Sequence, residues 1–141
     1  MKYKEVSEKI IQAFYTVYNT LGYGFLEKVY ENALMIELNK MGLDCKNQFP
    51  INVMYGNEIV GEYYADILVE DKIILELKAI KTIKKQKEAQ LLAYLTATNI
   101  EVGLLLNFGE KPEFIRKIFD NEYKKYKDSQ ISTDETDNKN N

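Results

Sequence analysis

The 141-residue sequence has no histidine and no tryptophan, one cysteine and two prolines. Without histidine there is no imidazole base and no histidine-ligated zinc, so catalysis would have to use carboxylates, lysine, tyrosine or a bound metal ion. The lone Cys45 excludes an intramolecular disulfide, and with no secretory leader visible the expectation is a reducing, cytoplasmic location. No apolar run approaches the ~20 residues that cross a bilayer, so no membrane partner is expected. A strong charge of either sign is also missing: the net charge is −3. Residues 128–141 carry four acids and one lysine, which leaves residues 1–127 neutral. That balance does not look like an electrostatic nucleic-acid binder.

What is present is a core. Hydrophobic residues make up 45% of the chain, including 11 Tyr and 6 Phe. The length suits one domain over residues 1–127, and the polar, acidic residues 128–141 read as a disordered tail.

The most informative stretch is A-D-I-L-V-E-D-K-I-I-L-E-L-K-A, residues 65–79. Apolar, β-prone residues flank a short charged break, the pattern of two antiparallel strands and a tight turn. A three-residue loop, Glu70-Asp71-Lys72, pairs Val69 with Ile73 and sets Asp66 opposite Glu76. A two-residue loop would send Asp66 to the other face. The apolar pattern favours the first register, or a five-residue loop that shares it. It gathers Ala65, Ile67, Val69, Ile73, Leu75, Leu77 and Ala79 on one buried face. Asp66, Glu76 and Lys78 then lie on the other face, beyond Leu68 and Ile74. Two carboxylates and an ammonium at the rim of a core suit a divalent cation held by oxygen ligands. They equally suit a cross-strand ion pair, and these residues alone leave both readings open.

The spacing elsewhere predicts helices over 5–21 and 26–41, separated by Gly22-Tyr23-Gly24 and closed by Gly42. Strands are expected over 48–55 and 59–69, joined at Gly56-Asn57, with a bulge at Gly61. A third strand over 73–79, a helix over 82–98 and a buried strand over 101–107 follow. Phe114–Phe119 reads as a further strand, and residues 121–127 lean helical. Five lysines fall within residues 78–87: Lys78, Lys81, Lys84, Lys85 and Lys87. Such a run is a solvated face or a flank that meets phosphates.

Asp66, Glu76 and Lys78 form a D-x9-E-x-K pattern on an αβββαβ order, which resembles the PD-(D/E)XK nuclease superfamily. Gly24-Phe25-Leu26-Glu27-Lys28-Val29-Tyr30 is similar to the pattern of its GxxExxY family. Gln90-Leu91-Leu92-Ala93-Tyr94 resembles the QxxxY helix motif of RecB-type exonucleases. The resemblance implies a mixed α/β fold, a restriction-endonuclease-like αβββαβ core with an extra N-terminal helix. It implies a nuclease acting on nucleic acid, with DNA as the expected substrate. Asp66, Glu76 and the Leu77 carbonyl would ligate Mg²⁺ or Mn²⁺, with Glu27 completing the metal site. Lys78 would assist the attacking water, and Gln90 would face the reacting centre. Tyr94, Lys81, Lys84 and Lys85 would contact substrate. Glu31, one turn beyond Glu27, is an alternative acid, although the motif spacing points to Glu27. Two departures stand out: Ala65 replaces the proline of the motif, and no early-helix histidine exists. A homo-oligomer that engages both strands is compatible with so small a chain. A catalytically silent binding module on the same fold is the competing reading.

Overall fold

The computed structural model describes residues 2–124. The expectations for the 128–141 tail, and for helix over 125–127, lie outside the described residues. Helices α1 (Lys4–Leu21) and α2 (Glu27–Lys40) precede strands β1 (Cys45–Tyr55), β2 (Glu58–Val69) and β3 (Ile73–Lys78). Helix α3 (Lys85–Thr96), β4 (Val102–Phe108), β5 (Pro112–Ile118) and a short 3₁₀ turn (Asn121–Tyr123) complete the order.

The five strands form one sheet in the order β1-β2-β3-β4-β5. β3 and β4 run parallel, because the chain crosses between them through α3, and every other neighbouring pair is antiparallel. α1 and α2 cover one face, where Ile10, Phe14, Tyr30 and Leu34 pack with Ile67, Val69, Ile73, Leu75 and Leu77. α3 covers the other, where Leu91 and Leu95 meet Leu68, Ile74 and Leu105. β3 and β4 are therefore buried on both sides, which is why each reads as a nearly unbroken apolar run. The helix-to-sheet contact is close enough that a Cβ on Gly103 would sit 2.7 Å from Leu91 Cδ1.

The β2–β3 turn has the expected register, with Val69 opposite Ile73 and Leu68 opposite Ile74. Glu70 and Asp71 both adopt φ 55 to close it. The bulge also falls as expected: Val53 faces Gly61, the next pair is Met54 with Ile59, and Val60 is the extra residue.

Four expectations are corrected. β1 starts at Cys45 rather than Gln48, because Cys45, Lys46 and Asn47 pair with Val69, Leu68 and Ile67. α3 starts at Lys85 rather than Thr82, because Lys84 is still extended (φ −98, ψ 157). The upstream chain is tethered by Asn107, whose Oδ1 accepts from Ile80 N–H at 3.0 Å while its Nδ2 donates to Ile80 O at 2.8 Å. The last strand is Pro112–Ile118, two residues earlier than at Phe114. Ala65 does not share a face with Ile67; it packs in the α3 layer with Leu68 and Leu91. Strict alternation would forbid this. The exchange falls at Asp66, where the ladder passes from Asn47–Ile67 to Phe49–Ala65 with no pair between. The residue opposite, Gln48, has φ 52. One left-handed residue turns the strand and changes which side chains face which layer.

Candidate active site

The β2–β3 ladder ends at Ile67–Leu75, and beyond it the two strands part. Asp66 and Glu76 lie where they separate. Asp66 N–H donates to Glu76 Oε2 at 3.0 Å, and Leu77 N–H donates to Asp66 Oδ2 at 2.8 Å. Each carboxylate thus takes a backbone donor of the opposing strand, replacing ladder bonds that the parting strands cannot make. The two acids face each other across the hairpin, as the three-residue loop requires.

Burial has an electrostatic consequence. Glu76 is 5% exposed, and desolvation, with the Asp66 charge adding to it, pushes its carboxyl up to about 8. The Asp66 N–H, and then Lys78, act in the opposite direction. Asp66 is also raised, first by burial and then by Glu31 and Glu27, against the Leu77 N–H and Lys78. Two raised carboxyls side by side form a site that is short of positive charge.

Lys78 ends β3 half-buried, near enough to both acids to favour their ionised forms. Yet among the described residues it forms no ion pair with either acid. The cross-strand ion pair that the sequence left open is therefore not formed, and the ammonium is available to another group.

Glu27 is exposed in the first turn of α2, and its charge raises both Asp66 and Glu76. Its placement depends on the loop before it. Gly24 has φ 115, a conformation that favours glycine. The buried Tyr30 hydroxyl donates to Gly22 O at 2.7 Å and accepts from Phe25 N–H at 3.2 Å. The Tyr30 ring stacks on Phe108 with centroids 4.3 Å apart. The glycine and tyrosine of the G-x-x-E-x-x-Y pattern therefore shape the loop that presents its glutamate.

From the other face, α3 brings Tyr94 to the acids. Burial, then the charges of Glu76 and Asp66, push its phenol up to about 12, and its ring lies 5.8 Å from that of Tyr63. Gln90 is half-buried one turn earlier, and its side chain makes no hydrogen bond among the described residues. Lys81, Lys84 and Lys85 are exposed on the segment leading from β3 into α3. Lys81 also lines a cleft of about 350 Å³ with Gly24, Phe25, Leu26 and Gly109. A larger cavity of about 600 Å³, bounded by Phe49, Leu68, Asp71 and Ile100, lies toward the Glu70–Lys72 turn. Among the described residues, its charged lining side chains are Lys46 and Asp71, which are paired with each other at 2.9 Å.

Sequence reasoning gave too little weight to Glu31. It is 4% exposed, and its carboxylate accepts from Gln48 Nε2 at 3.1 Å, Lys28 Nζ at 3.1 Å and Asn47 Nδ2 at 3.4 Å. A left-handed non-glycine residue costs about 1–2 kcal/mol. A hydrogen bond to a charged group, at about 1.5–3 kcal/mol, offsets that cost at Gln48. The only sequence signal was Glu31's position one turn after Glu27.

Among the described residues, no three acidic, cysteine or histidine side chains converge into a ready metal cage. Two carboxylates of raised pKa remain, with oxygen donors only. That set fits Mg²⁺, which uses few protein ligands and keeps water and substrate phosphate for the others. No helix among the described residues is long and apolar enough to cross a membrane.

No functionally curated protein matches the chain. Among solved structures, the crystal structure titled SSO0001 is similar, with a TM-score of 0.52 and 15% sequence identity. That alignment covers 94% of this chain and 65% of the other, a likeness of fold. Residues 4–118 match the family model of the PD-(D/E)XK nuclease superfamily. The matched segment starts with the first residue of α1 and ends with the last of β5, and on that match the chain belongs to this superfamily.

Proposed function

We propose that this chain is a divalent-metal-dependent nuclease of the GxxExxY type that hydrolyses phosphodiester bonds in DNA. The observation that carries the reading is that Glu76 accepts from Asp66 N–H and Asp66 from Leu77 N–H where the strands part, beside Lys78, which forms no ion pair with either acid among the described residues. Asp66, Glu76 and the Leu77 carbonyl would hold Mg²⁺ or Mn²⁺, with Glu27 at the rim. When bound, such an ion supplies Lewis acidity and a water of lowered pKa. Lys78 would orient that water and offset charge developing on the phosphoryl oxygens. Gln90 and Tyr94, four residues apart on one helix, would line the substrate path. Lys81, Lys84 and Lys85 would meet backbone phosphates, and binding should therefore weaken with salt.

The test is cleavage of labelled single-stranded, double-stranded and flapped DNA with Mn²⁺, comparing wild type with Lys78→Ala. Cleavage should fall by about 10²–10⁴-fold in the variant, the usual scale for losing a proton-handling group, with thermal stability unchanged. Equal cleavage by both proteins would refute the assignment. One observation favours a second reading, a catalytically silent module that binds nucleic acid or protein: the carboxylates do not form a three-acid cage. Calorimetric titration with Mn²⁺ separates the two, because the silent module would take up no metal near neutral pH.

A further inference from the structure

We propose that Glu31 is a positioning residue. By holding Gln48 left-handed it swings the β1–β2 arm away from β3 and opens the gap in which Asp66 and Glu76 meet.

Three features coincide at one level of the sheet. The β2–β3 ladder stops after Ile67–Leu75. The β1–β2 ladder omits the pair between Asn47–Ile67 and Phe49–Ala65, and the omitted residues are Gln48 and Asp66. Across the same step the residues entering the α3 layer change from Leu68 to Ala65. All three follow from a single turn of the backbone at Gln48, where φ is 52. Nothing in a glutamine favours that conformation, since its Cβ disfavours left-handed backbone. What secures it is Glu31, buried in α2 and bonded to the side chains of both Gln48 and Asn47.

If the arm ran straight, β2 would continue alongside β3. Backbone amides would then pair with backbone carbonyls instead of with the two carboxylates. Asp66 and Glu76 would lose the Leu77 and Asp66 N–H groups that now orient them. Glu31 thus positions the two acids through Gln48, in addition to the charge by which it raises Asp66. The metal-related part of this inference rests on the nuclease reading above; the structural part does not.

The test uses glycine, which adopts positive φ as readily as negative and needs no anchor there. Amide hydrogen exchange of Asp66 and Leu77 is measured by NMR in the metal-free full chain, with the β4 amides of Leu104–Leu106 reporting global stability. Glu31→Ala should speed exchange at Asp66 and Leu77 by about tenfold or more relative to β4. Adding Gln48→Gly to Glu31→Ala should restore it to within about threefold of wild type. Gln48 is exposed, so Gln48→Ala and Gln48→Gly give a second pair should Glu31→Ala not fold. Gln48→Ala should loosen the two amides and Gln48→Gly should not.

Mn²⁺ affinity of the same variants, by calorimetry, should follow the same order. An Asp66 amide as protected in Gln48→Ala as in wild type would overturn the proposal. So would a Glu31→Ala/Gln48→Gly protein as loose as Glu31→Ala alone, because Glu31 would then act by its own charge. Failure of wild type to bind Mn²⁺ would instead remove the nuclease reading, and the exchange data would still decide the role of Glu31.

Discussion

Replacing Glu76 by glutamine should stabilise the metal-free protein, and only at high pH. In the folded chain burial and Asp66 hold the Glu76 carboxyl near 8, against an ordinary value of 4.5. Between those values the native state keeps a proton that the unfolded chain has released. Stability therefore falls with rising pH across this window: the favourable contribution is complete below about 4.5 and is lost by about 8. At about 1.4 kcal/mol per pH unit, the loss reaches at most about 5 kcal/mol. Asp66, whose carboxyl is also raised, acts in the same direction. Glutamine at position 76 is neutral at every pH and keeps an oxygen to accept the Asp66 N–H. Glu76→Gln should match wild type near pH 4, then exceed it by several kcal/mol near pH 9. Urea denaturation with EDTA, repeated from pH 4 to pH 9, measures the difference. A Glu76→Gln effect of equal size at both ends would refute the reasoning, and so would destabilisation at pH 9. Either result would mean that Glu76 is ionised in the metal-free fold.

The other predictions concern the scaffold around the site. Tyr30→Phe should cost about 1–3 kcal/mol in urea denaturation, the scale of a lost buried hydrogen bond. It should also speed amide exchange at Phe25, whose N–H the hydroxyl accepts. Gly103→Ala should cost about 1–3 kcal/mol, because the new methyl meets the buried Leu91 side chain, which must move; calorimetric melting would show a lower Tm. Asn107→Leu leaves both Ile80 backbone groups without their side-chain partner. It should cost about 2 kcal/mol or more and weaken amide protection at Ile80.

Much of the architecture was legible because it follows from local period. The i, i+3/i+4 apolar stripes fixed α1 and α2 to within a residue or two of their observed ends. The alternation on either side of Glu70–Lys72 fixed the hairpin register, since one slipped residue would have put charge in the core. Boundaries fared worse where distant contacts decide them. The late start of α3 reflects the hold of Asn107 on Ile80, a contact across 27 positions in sequence that no local pattern encodes.

The candidate site divides in the same way. The turn and the period of two put Asp66 and Glu76 at opposing positions of the hairpin, so their proximity was legible in the sequence. The GxxExxY spacing likewise marked Glu27, and the structure adds that Tyr30 works by clamping the loop before it. The parting of β2 from β3, the change of face at Asp66 and the buried role of Glu31 were decided by tertiary structure alone. The reason is physical: a left-handed backbone at Gln48 is disfavoured by its own residue type. It exists because a carboxylate 17 positions earlier in sequence is brought beside it by the packing of α2 on the sheet.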